Sequence, residues 1–210
     1  MADRLFDDAP PSNAPLAARM RPRSLEEIVG QDALLAPEAP LRRAIAAGRL
    51  HSMVLHGPPG SGKTTLARAI AAEASAAFEE HSAVAAGRAE VRAVIERAQH
   101  RSGPTIFFLD EIHRFNKAQQ DALLPAVEDG LVTLIGATTE NPRFEVNSAL
   151  LSRVTVYELE PLAPADIAVL VRRAIQRGEL GAGVTVSDDA VEMLATRSGG
   201  DARIALGALE

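Results

Sequence analysis

The stretch Gly57-Pro58-Pro59-Gly60-Ser61-Gly62-Lys63-Thr64 decides the fold, because it matches the phosphate-loop pattern G-x-x-x-x-G-K-[ST]. Glycines let the backbone wrap inward, so that amide N–H groups point at phosphate oxygens. Lys63 would place its charge on the terminal phosphates, and the Thr64 hydroxyl would bind Mg²⁺. The stretch therefore predicts a site for a nucleoside triphosphate with its magnesium ion.

Strand-like and helix-like segments alternate around this loop. The apolar strand Ser52–His56 leads into it, and good helix formers follow from Lys63 to Ala77. Further strands are predicted at 78–82, 105–109, 133–137 and 154–157, and helices at 39–47, 87–100, 117–127 and 147–151. Because such alternation is typical of parallel sheets, the sequence predicts an α/β fold with a five-stranded parallel sheet flanked by helices.

Outside the predicted sheet, the chain changes in character. Residues 1–15 are rich in Pro, Ala and Asp and predict a disordered leader. Ser24 and Glu27 match a capping box, which predicts a short helix that ends at Gly30. After Leu162 only helices are predicted, at 164–177, at 187–196 and from 201 onward. We expect an α/β domain over 16–160 and a helical lid domain over 161–210 that is truncated.

The acidic pair Asp110-Glu111 directly follows the apolar run 105–109. In a doubly wound sheet, ligands bind beyond the carboxyl ends of the strands, so the pair should face the phosphate loop. Asp110 is then the carboxylate that holds hydrated Mg²⁺, and Glu111 would orient and deprotonate an attacking water. Thr138 and Thr139 end the next strand at the same edge, where a threonine could bond the γ-phosphate or the water.

The composition excludes several classes of protein. The 210 residues are 47% hydrophobic and 24% charged, which is typical of a globular chain. No apolar run reaches the ~18–20 residues of a membrane span, so we expect a cytoplasmic protein without a membrane partner. The absence of cysteine excludes disulfides, and the five histidines show no metal-ligand spacing. A net charge of −6 gives no overall attraction to nucleic acid.

Four stretches beside the loop carry a resemblance to a known family. They run from Pro15 to Gln31, from Asp110 to Asp121, from Gly136 to Pro142 and from Gly200 to Arg203. With them the chain resembles the AAA+ ATPases, and more narrowly the bacterial replication-associated recombination proteins, relatives of the Werner-helicase-interacting protein. The resemblance implies the AAA+ P-loop NTPase fold with ATP and Mg²⁺ as ligands. In that family a further helical half follows, so we expect this chain to be an N-terminal fragment.

The resemblance also implies roles for individual residues. Thr139 matches the sensor that reads the γ-phosphate, Arg203 matches the lid arginine that reaches back to ATP, and Arg153 matches the arginine finger of a neighbouring subunit's site. The adenine pocket is implied for Pro22, Val29 and Gln31. The nucleotide-binding positions of the loop are Gly57, Pro58, Pro59, Gly60, Ser61, Gly62, Lys63, Thr64 and Thr65.

The same resemblance implies the cellular task and its partners. It implies a DNA-dependent ATPase that maintains stalled or gapped replication forks and prefers junctions of single-stranded and double-stranded DNA. It further implies a nucleoid-associated homo-oligomer, a tetramer formed through the further helical half, with single-strand-binding protein among the candidate partners.

Basic clusters offer candidate DNA contacts, but solvated surfaces with local ion pairs explain them equally well. One cluster is Arg19, Arg21 and Arg23. A second runs along a predicted helix as Arg88, Arg92 and Arg97, with Glu90 and Glu96 nearby. A third group, His113, Arg114 and Lys117, closely follows the catalytic carboxylates, and this proximity suggests that DNA contact is linked to hydrolysis.

Three other functions remain open. A clamp-loader motor and a Holliday-junction branch-migration motor share the Arg-Pro and Val-Gly-Gln signatures, although the bacterial clamp loader carries a cysteine zinc module and this chain has no cysteine. A nucleotide-binding scaffold that does not hydrolyse ATP is the third. Such scaffolds usually lose the lysine or the second carboxylate, whereas Lys63, Asp110 and Glu111 are all present.

Overall fold

The computed structural model describes residue 11, residues 13–181 and residues 184–210, so most of the expected leader lies outside the described residues. The described chain forms one sheet with the strand order β2-β3-β4-β1-β5, and all its pairings are parallel. The strands are β1 (Met53–His56), β2 (Ala77–Ser82), β3 (Thr105–Asp110), β4 (Thr133–Thr138) and β5 (Thr155–Glu158). The predicted α/β fold with a five-stranded parallel sheet is thus confirmed.

Helices precede the first strand, connect the strands and follow the last one. They are α1 (Leu16–Arg19), α2 (Asp32–Leu35), α3 (Pro40–Ala46), α4 (Lys63–Glu73), α5 (Arg88–Gln99), α6 (Lys117–Asp121), α7 (Leu124–Glu128), α8 (Pro142–Glu145), α9 (Ser148–Leu151), α10 (Pro164–Gln176), α11 (Asp188–Arg197) and α12 (Ala202–Leu209). Short 3₁₀ turns lie at Leu25–Glu27 and Ile112–Arg114. No helix among the described residues is long and apolar enough to cross a membrane.

The three central strands β3, β4 and β1 are buried on both faces, as their continuous apolar runs require. In β3, Ile106 and Phe108 face the layer of α4, while Phe107 and Leu109 face the layer of α5. All of these side chains are fully buried. This two-sided burial fixes β3 in the sheet and so fixes the position of the acidic pair that ends it.

The helices after β5 pack on each other and on the first helix of the described chain. Val171, Val191 and Ala205 join α10, α11 and α12 in one apolar cluster. Helix α1 adds Leu16 and Met20 to a second cluster with α10 and α12. The early segment of the chain therefore reaches the terminal helices, while the domain boundary expected at residue 160 stays a prediction.

Three local predictions were wrong. Ser24 makes no capping bond and only a 3₁₀ turn forms; the Glu27 carboxylate, which a capping box would place on the N–H of Ser24, accepts from the backbone N–H of Arg23 at 2.9 Å. Helix α4 ends at Glu73 rather than at 77, since Ala77 already pairs with β3. The helix predicted over 117–127 breaks into α6 and α7, with Pro125 in the first turn of α7, where its missing N–H costs nothing.

Two arginines of the basic clusters, Arg19 and Arg97, form ion pairs with specific partners. Arg19 is mostly buried and pairs with Glu179 at 2.9 Å and Glu210 at 3.2 Å. Arg97 pairs at 2.9 Å with Glu79, a residue of β2, and not with the neighbouring glutamates of its own helix. These contacts stabilise the fold and remove Arg19 from the candidate DNA surface.

Candidate active site

The phosphate loop connects β1 to α4 at the carboxyl edge of the sheet. Gly60 and Gly62 take left-handed backbone angles, with φ of +68° and +97°, which glycine adopts without steric cost. The loop ends at α4, an 11-residue helix whose unpaired N–H groups and positive dipole end favour an anion. Lys63 Nζ donates to the carbonyl oxygens of Gly57 and Pro58, both at 2.8 Å. The loop is thus already shaped around its lysine.

A cavity of about 330 Å³ opens above this loop. Its volume is in the range of small-molecule sites. Most of the residues that the sequence singled out line it, namely Pro22, Val29, Pro59, Gly60, Ser61, Gly62, Lys63, Thr64, Thr65, Asp110, Glu111, Thr139 and Arg203. The structure therefore brings residues from the phosphate loop, the start of α4, the end of β3, the segment just after β4 and α12 into one site.

The cavity has a polar part and an apolar part. The polar part holds the loop and the carboxylates, whereas the apolar lining includes Met20, Ile28, Leu162, Leu170 and Leu206. A ligand that is charged at one end and aromatic at the other fits this division.

Asp110 and Glu111 lie at the end of β3, as predicted. Glu111 holds a left-handed backbone angle, φ +56°, and its N–H donates to Asp110 Oδ1 at 3.0 Å. A non-glycine residue in that region costs about 1–3 kcal/mol, and such strain is concentrated at functional sites. Thr64 and Asp110 supply a hydroxyl and a carboxylate to the same cavity. These hard oxygen donors fit Mg²⁺, which binds one or two protein ligands and takes the rest from phosphates and water.

Two cations in the cavity are partly desolvated. Burial lowers the pKa of Lys63 below its ordinary value, while the charge of Asp110 opposes that shift. Burial also lowers the pKa of Arg21, and the nearby charge of Arg68 adds to the effect. The sequence grouped Arg21 with a basic cluster and missed it as a site residue. Its position directly before Pro22 was the available signal.

Three predicted nucleotide-binding residues support the cavity without lining it. Gln31 Nε2 donates to the carbonyls of Ser61 at 3.3 Å and Glu160 at 2.8 Å, and so ties the loop to the segment after β5. Gly57 and Pro58 face Lys63 with their carbonyl oxygens, as described above.

Arg153 lies outside this cavity. It forms an ion pair with Glu128 and lines a separate depression with His51 and Thr133. Its side chain is exposed, and Nη1 donates to the carbonyl of Ala149 at 2.6 Å. The structure thus does not bring Arg153 to the phosphate loop of its own chain.

Sequence proximity groups His113 with the candidate DNA contacts Arg114 and Lys117, but the side chain of His113 lies inside the protein. Its side chain is 8% exposed and contacts both Glu111 and Thr138, so it is not available at the surface for DNA. Arg114 and Lys117 are exposed, as a DNA contact requires.

Comparisons of the sequence with known proteins identify a matching family and several relatives of this chain. Residues 53–162 match the family model described as "ATPase family associated with various cellular activities (AAA)". Replication-associated recombination protein A of Escherichia coli strain K12 is 54% identical over 202 residues, which cover 93% of this chain and 45% of that protein. ATPase WRNIP1 of Dictyostelium discoideum is 42% identical over 204 residues, covering 95% of this chain and 23% of that protein.

A solved structure is similar as well. The Holliday-junction branch-migration motor RuvB of Thermotoga maritima superposes with a TM-score of 0.75 at 34% sequence identity, covering 90% of this chain and 64% of that one. The chain spans about half the length of the bacterial curated relatives it matches.

Proposed function

The chain belongs to the AAA family of ATPases, and on that premise we propose that its cavity binds ATP with Mg²⁺ and hydrolyses it to drive work on DNA in replication-associated recombination. One observation carries the proposal: Lys63, Asp110, Glu111 and Arg203, which are far apart in sequence, line the same cavity. A phosphate cradle, a magnesium carboxylate, a base and a second cation are the parts that phosphoryl transfer requires.

The polar part of the cavity holds the triphosphate. Backbone N–H groups of the loop and of the first turn of α4 donate to its oxygens. Lys63 leaves the carbonyls of Gly57 and Pro58 for the terminal phosphates, and Arg21 and Arg203 add positive charge from two other walls. Thr64 and Asp110 hold Mg²⁺, which neutralises the charge that develops on the phosphates.

Glu111 acts on the attacking water. Its carboxylate accepts a proton as the water oxygen approaches the γ-phosphorus, and the bond to the leaving ADP oxygen breaks. Thr139, one residue beyond β4, lines the same cavity and bonds either the γ-phosphate or the water. Together they fix the water in line with the bond that breaks.

The apolar part holds the adenine. Pro22 and Val29 line it together with Leu162 and Leu206. Because Gln31 joins the loop to Glu160, we assign it a supporting role in which it keeps the loop closed against this pocket.

Arg153 completes the site of a neighbouring copy. Its exposed guanidinium lies outside the cavity of its own chain, so a role in hydrolysis requires a second chain. An arginine supplied in this way is worth ~10³–10⁵ in turnover. We therefore propose a homo-oligomer, a tetramer by the resemblance, in which hydrolysis takes place between subunits.

The name of the bacterial relatives refers to recombination associated with replication, and we propose that the DNA is a stalled or gapped replication fork. The protein would act there in the cytoplasm at the nucleoid, with single-strand-binding protein as a candidate partner. Arg114 and Lys117 are exposed just after the catalytic carboxylates and are the candidate DNA contacts.

Steady-state hydrolysis of ATP tests the proposal. The rate of ATP hydrolysis would be measured for the full-length protein with and without a forked duplex that bears a single-stranded gap. The variants Arg153→Ala and Glu111→Gln would be measured in the same way. Stimulation by the fork and loss of activity in both variants, with ATP binding kept, support it. If hydrolysis does not respond to DNA, the ATPase remains but its partner is a protein.

The second candidate is a branch-migration motor, which the similarity to RuvB favours. Separation of the strands of a synthetic four-way junction, driven by ATP, would identify it. A nucleotide-binding scaffold would instead bind ATP and show no turnover that Glu111→Gln could remove.

A further inference from the structure

We propose that His113 is a positioning residue for hydrolysis, which holds the Glu111 carboxylate in place by tying it to the end of β4. The inference rests on the proposed role of Glu111 in ATP hydrolysis. It concerns a residue that sequence reasoning had assigned to DNA contact.

Both ring nitrogens of His113 are engaged. Nε2 lies 3.1 Å from Glu111 Oε2, and Nδ1 lies 2.9 Å from Thr138 Oγ1. The backbone N–H of Glu140 donates to the same threonine hydroxyl at 3.0 Å. With its proton on Nε2, the ring donates to the carboxylate and accepts from the hydroxyl, whose single proton favours Nδ1 at 2.9 Å over the carbonyl oxygen of Glu140 at 3.3 Å.

Glu111 needs an external support. Its backbone is in the left-handed region at φ +56°, and its side chain is 35% exposed. A glutamate side chain has three rotatable bonds, and when it is partly exposed it samples several rotamers. The imidazole removes that freedom by holding Oε2, and it leaves Oε1 to accept a proton from water.

The other end of the link is rigid. Thr138 is 1% exposed and pairs in register with His56 of β1. Its carbonyl accepts from the N–H of Gly57 at 3.2 Å, where the phosphate loop begins. Thr139, the proposed phosphate sensor, is the next residue. His113 therefore joins the base to the strand that carries the sensor and meets the phosphate loop.

The geometry separates this role from simple packing. A packing role would be met by any side chain of similar volume, whereas positioning needs a donor toward Glu111 and an acceptor toward Thr138. His113→Ala removes both, and His113→Gln keeps an N–H donor. Thr138→Val removes the hydroxyl that fixes the ring while preserving shape, and Thr138→Ser keeps that hydroxyl.

The experiment measures single-turnover ATP hydrolysis and the Kd for ATP on the full chain. We expect His113→Ala to lower the rate about tenfold or more, a part of the ~10²–10⁴ that a positioned base contributes. The Kd should change less than about twofold, because the phosphate contacts are untouched. Thr138→Val should be slower than Thr138→Ser, and His113→Gln should recover part of the rate. His100→Ala is the matched control, since that exposed histidine bonds only the carbonyl of Glu96 in its own helix.

A double-mutant cycle decides whether His113 acts through Glu111. In a Glu111→Gln background, His113→Ala should cause no further loss, because the base it positions is gone. Equal losses with and without Glu111 would overturn the proposal, as would a parental rate in His113→Ala.

If His113→Ala fails to fold, the threonine pair and His113→Gln give the answer, and parental rates in all of them overturn the role. Undiminished hydrolysis by Glu111→Gln would instead refute the proposed base itself, so failure of this inference is distinguishable from failure of the function on which it rests.

Discussion

Replacing Gly60 by alanine tests whether the terminal helix rests directly on the phosphate loop. A Cβ at this position would overlap Asp201 Oδ1 and lie 2.7 Å from Asp201 Cα. The Cα is backbone and cannot rotate away, so the start of α12 must move. Asp201 caps that helix, since Oδ1 accepts from the N–H groups of Arg203 at 2.8 Å and Ile204 at 3.2 Å.

The expected cost has two parts. The left-handed angle of Gly60, φ +68°, costs an alanine ~1–2 kcal/mol. Displacement of the Asp201 cap adds ~0.5–2 kcal/mol. Gly178 is the matched control, because its φ is +70° and its Cβ would meet nothing within 4 Å. Gly60→Ala should therefore lower the free energy of unfolding by ~0.5–2 kcal/mol more than Gly178→Ala does.

Urea unfolding without nucleotide measures this difference. The chain has no tryptophan, so circular dichroism at the helical band is the suitable signal. Equal free energies of unfolding for the two variants would refute the reasoning and show that α12 does not press on the loop. A larger loss for Gly60→Ala should be accompanied by weaker ATP binding, because Arg203 moves with the helix.

Three further predictions concern charge and helix stability. Burial lowers the pKa of Lys63, whereas a bound triphosphate favours its charged ammonium form. The affinity for ATP should therefore fall as the pH rises through the lowered pKa toward the ordinary value of 10.5. Calorimetry in two buffers should show proton uptake on ATP binding, and an affinity that stays constant with pH would contradict this. Burial of Glu79 opposes its ionisation, but hydrogen bonds from Arg97 and Arg101 outweigh burial and hold its pKa below the ordinary value. The stabilisation is complete above the pKa of Glu79 in the unfolded chain and is lost as the pH falls through its pKa in the folded chain. Glu79→Gln should therefore lower the free energy of unfolding by ~1 kcal/mol near neutral pH and by progressively less in acid. Urea unfolding at neutral and at acid pH would measure this difference. Gly207→Ala, inside α12 with free space around its Cβ, should raise the free energy of unfolding by ~0.5–1 kcal/mol, and a destabilised variant would show that the site is crowded.

Sequence reasoning predicted the parts of the site whose chemistry is local. The phosphate loop is one continuous stretch, and Asp110-Glu111 follows a five-residue apolar run whose place in a parallel sheet is determined by hydrophobicity. Sequence alone therefore locates both of them, along with the fold.

The residues that sequence reasoning misplaced depend on distant partners. Arg21 and Arg19 belong to one sequence cluster, yet one lines the cavity and the other pairs with Glu179 and Glu210. His113 turns inward, where its Nδ1 hydrogen-bonds the hydroxyl of Thr138 at the end of a neighbouring strand. Periodicity and short spacing carry no information about such distant partners.

The contact of α1 with α12 has a consequence for synthesis on the ribosome. The backbone N–H of Leu16 bonds a carboxylate oxygen of Glu210, 194 residues later, and the apolar side chains of Leu16 and Met20 pack in one cluster with Ala174 of α10 and Leu206 of α12. At translation speeds of ~5–20 residues per second, roughly 10–40 s pass between the synthesis of Leu16 and the synthesis of Glu210. Through that interval Leu16 and Met20 are exposed, and the nucleotide cavity lacks the walls supplied by α10 and α12. Nascent chains should therefore depend on chaperones that shield an apolar N-terminal segment, and they should gain affinity for ATP only when the last helix has left the exit tunnel.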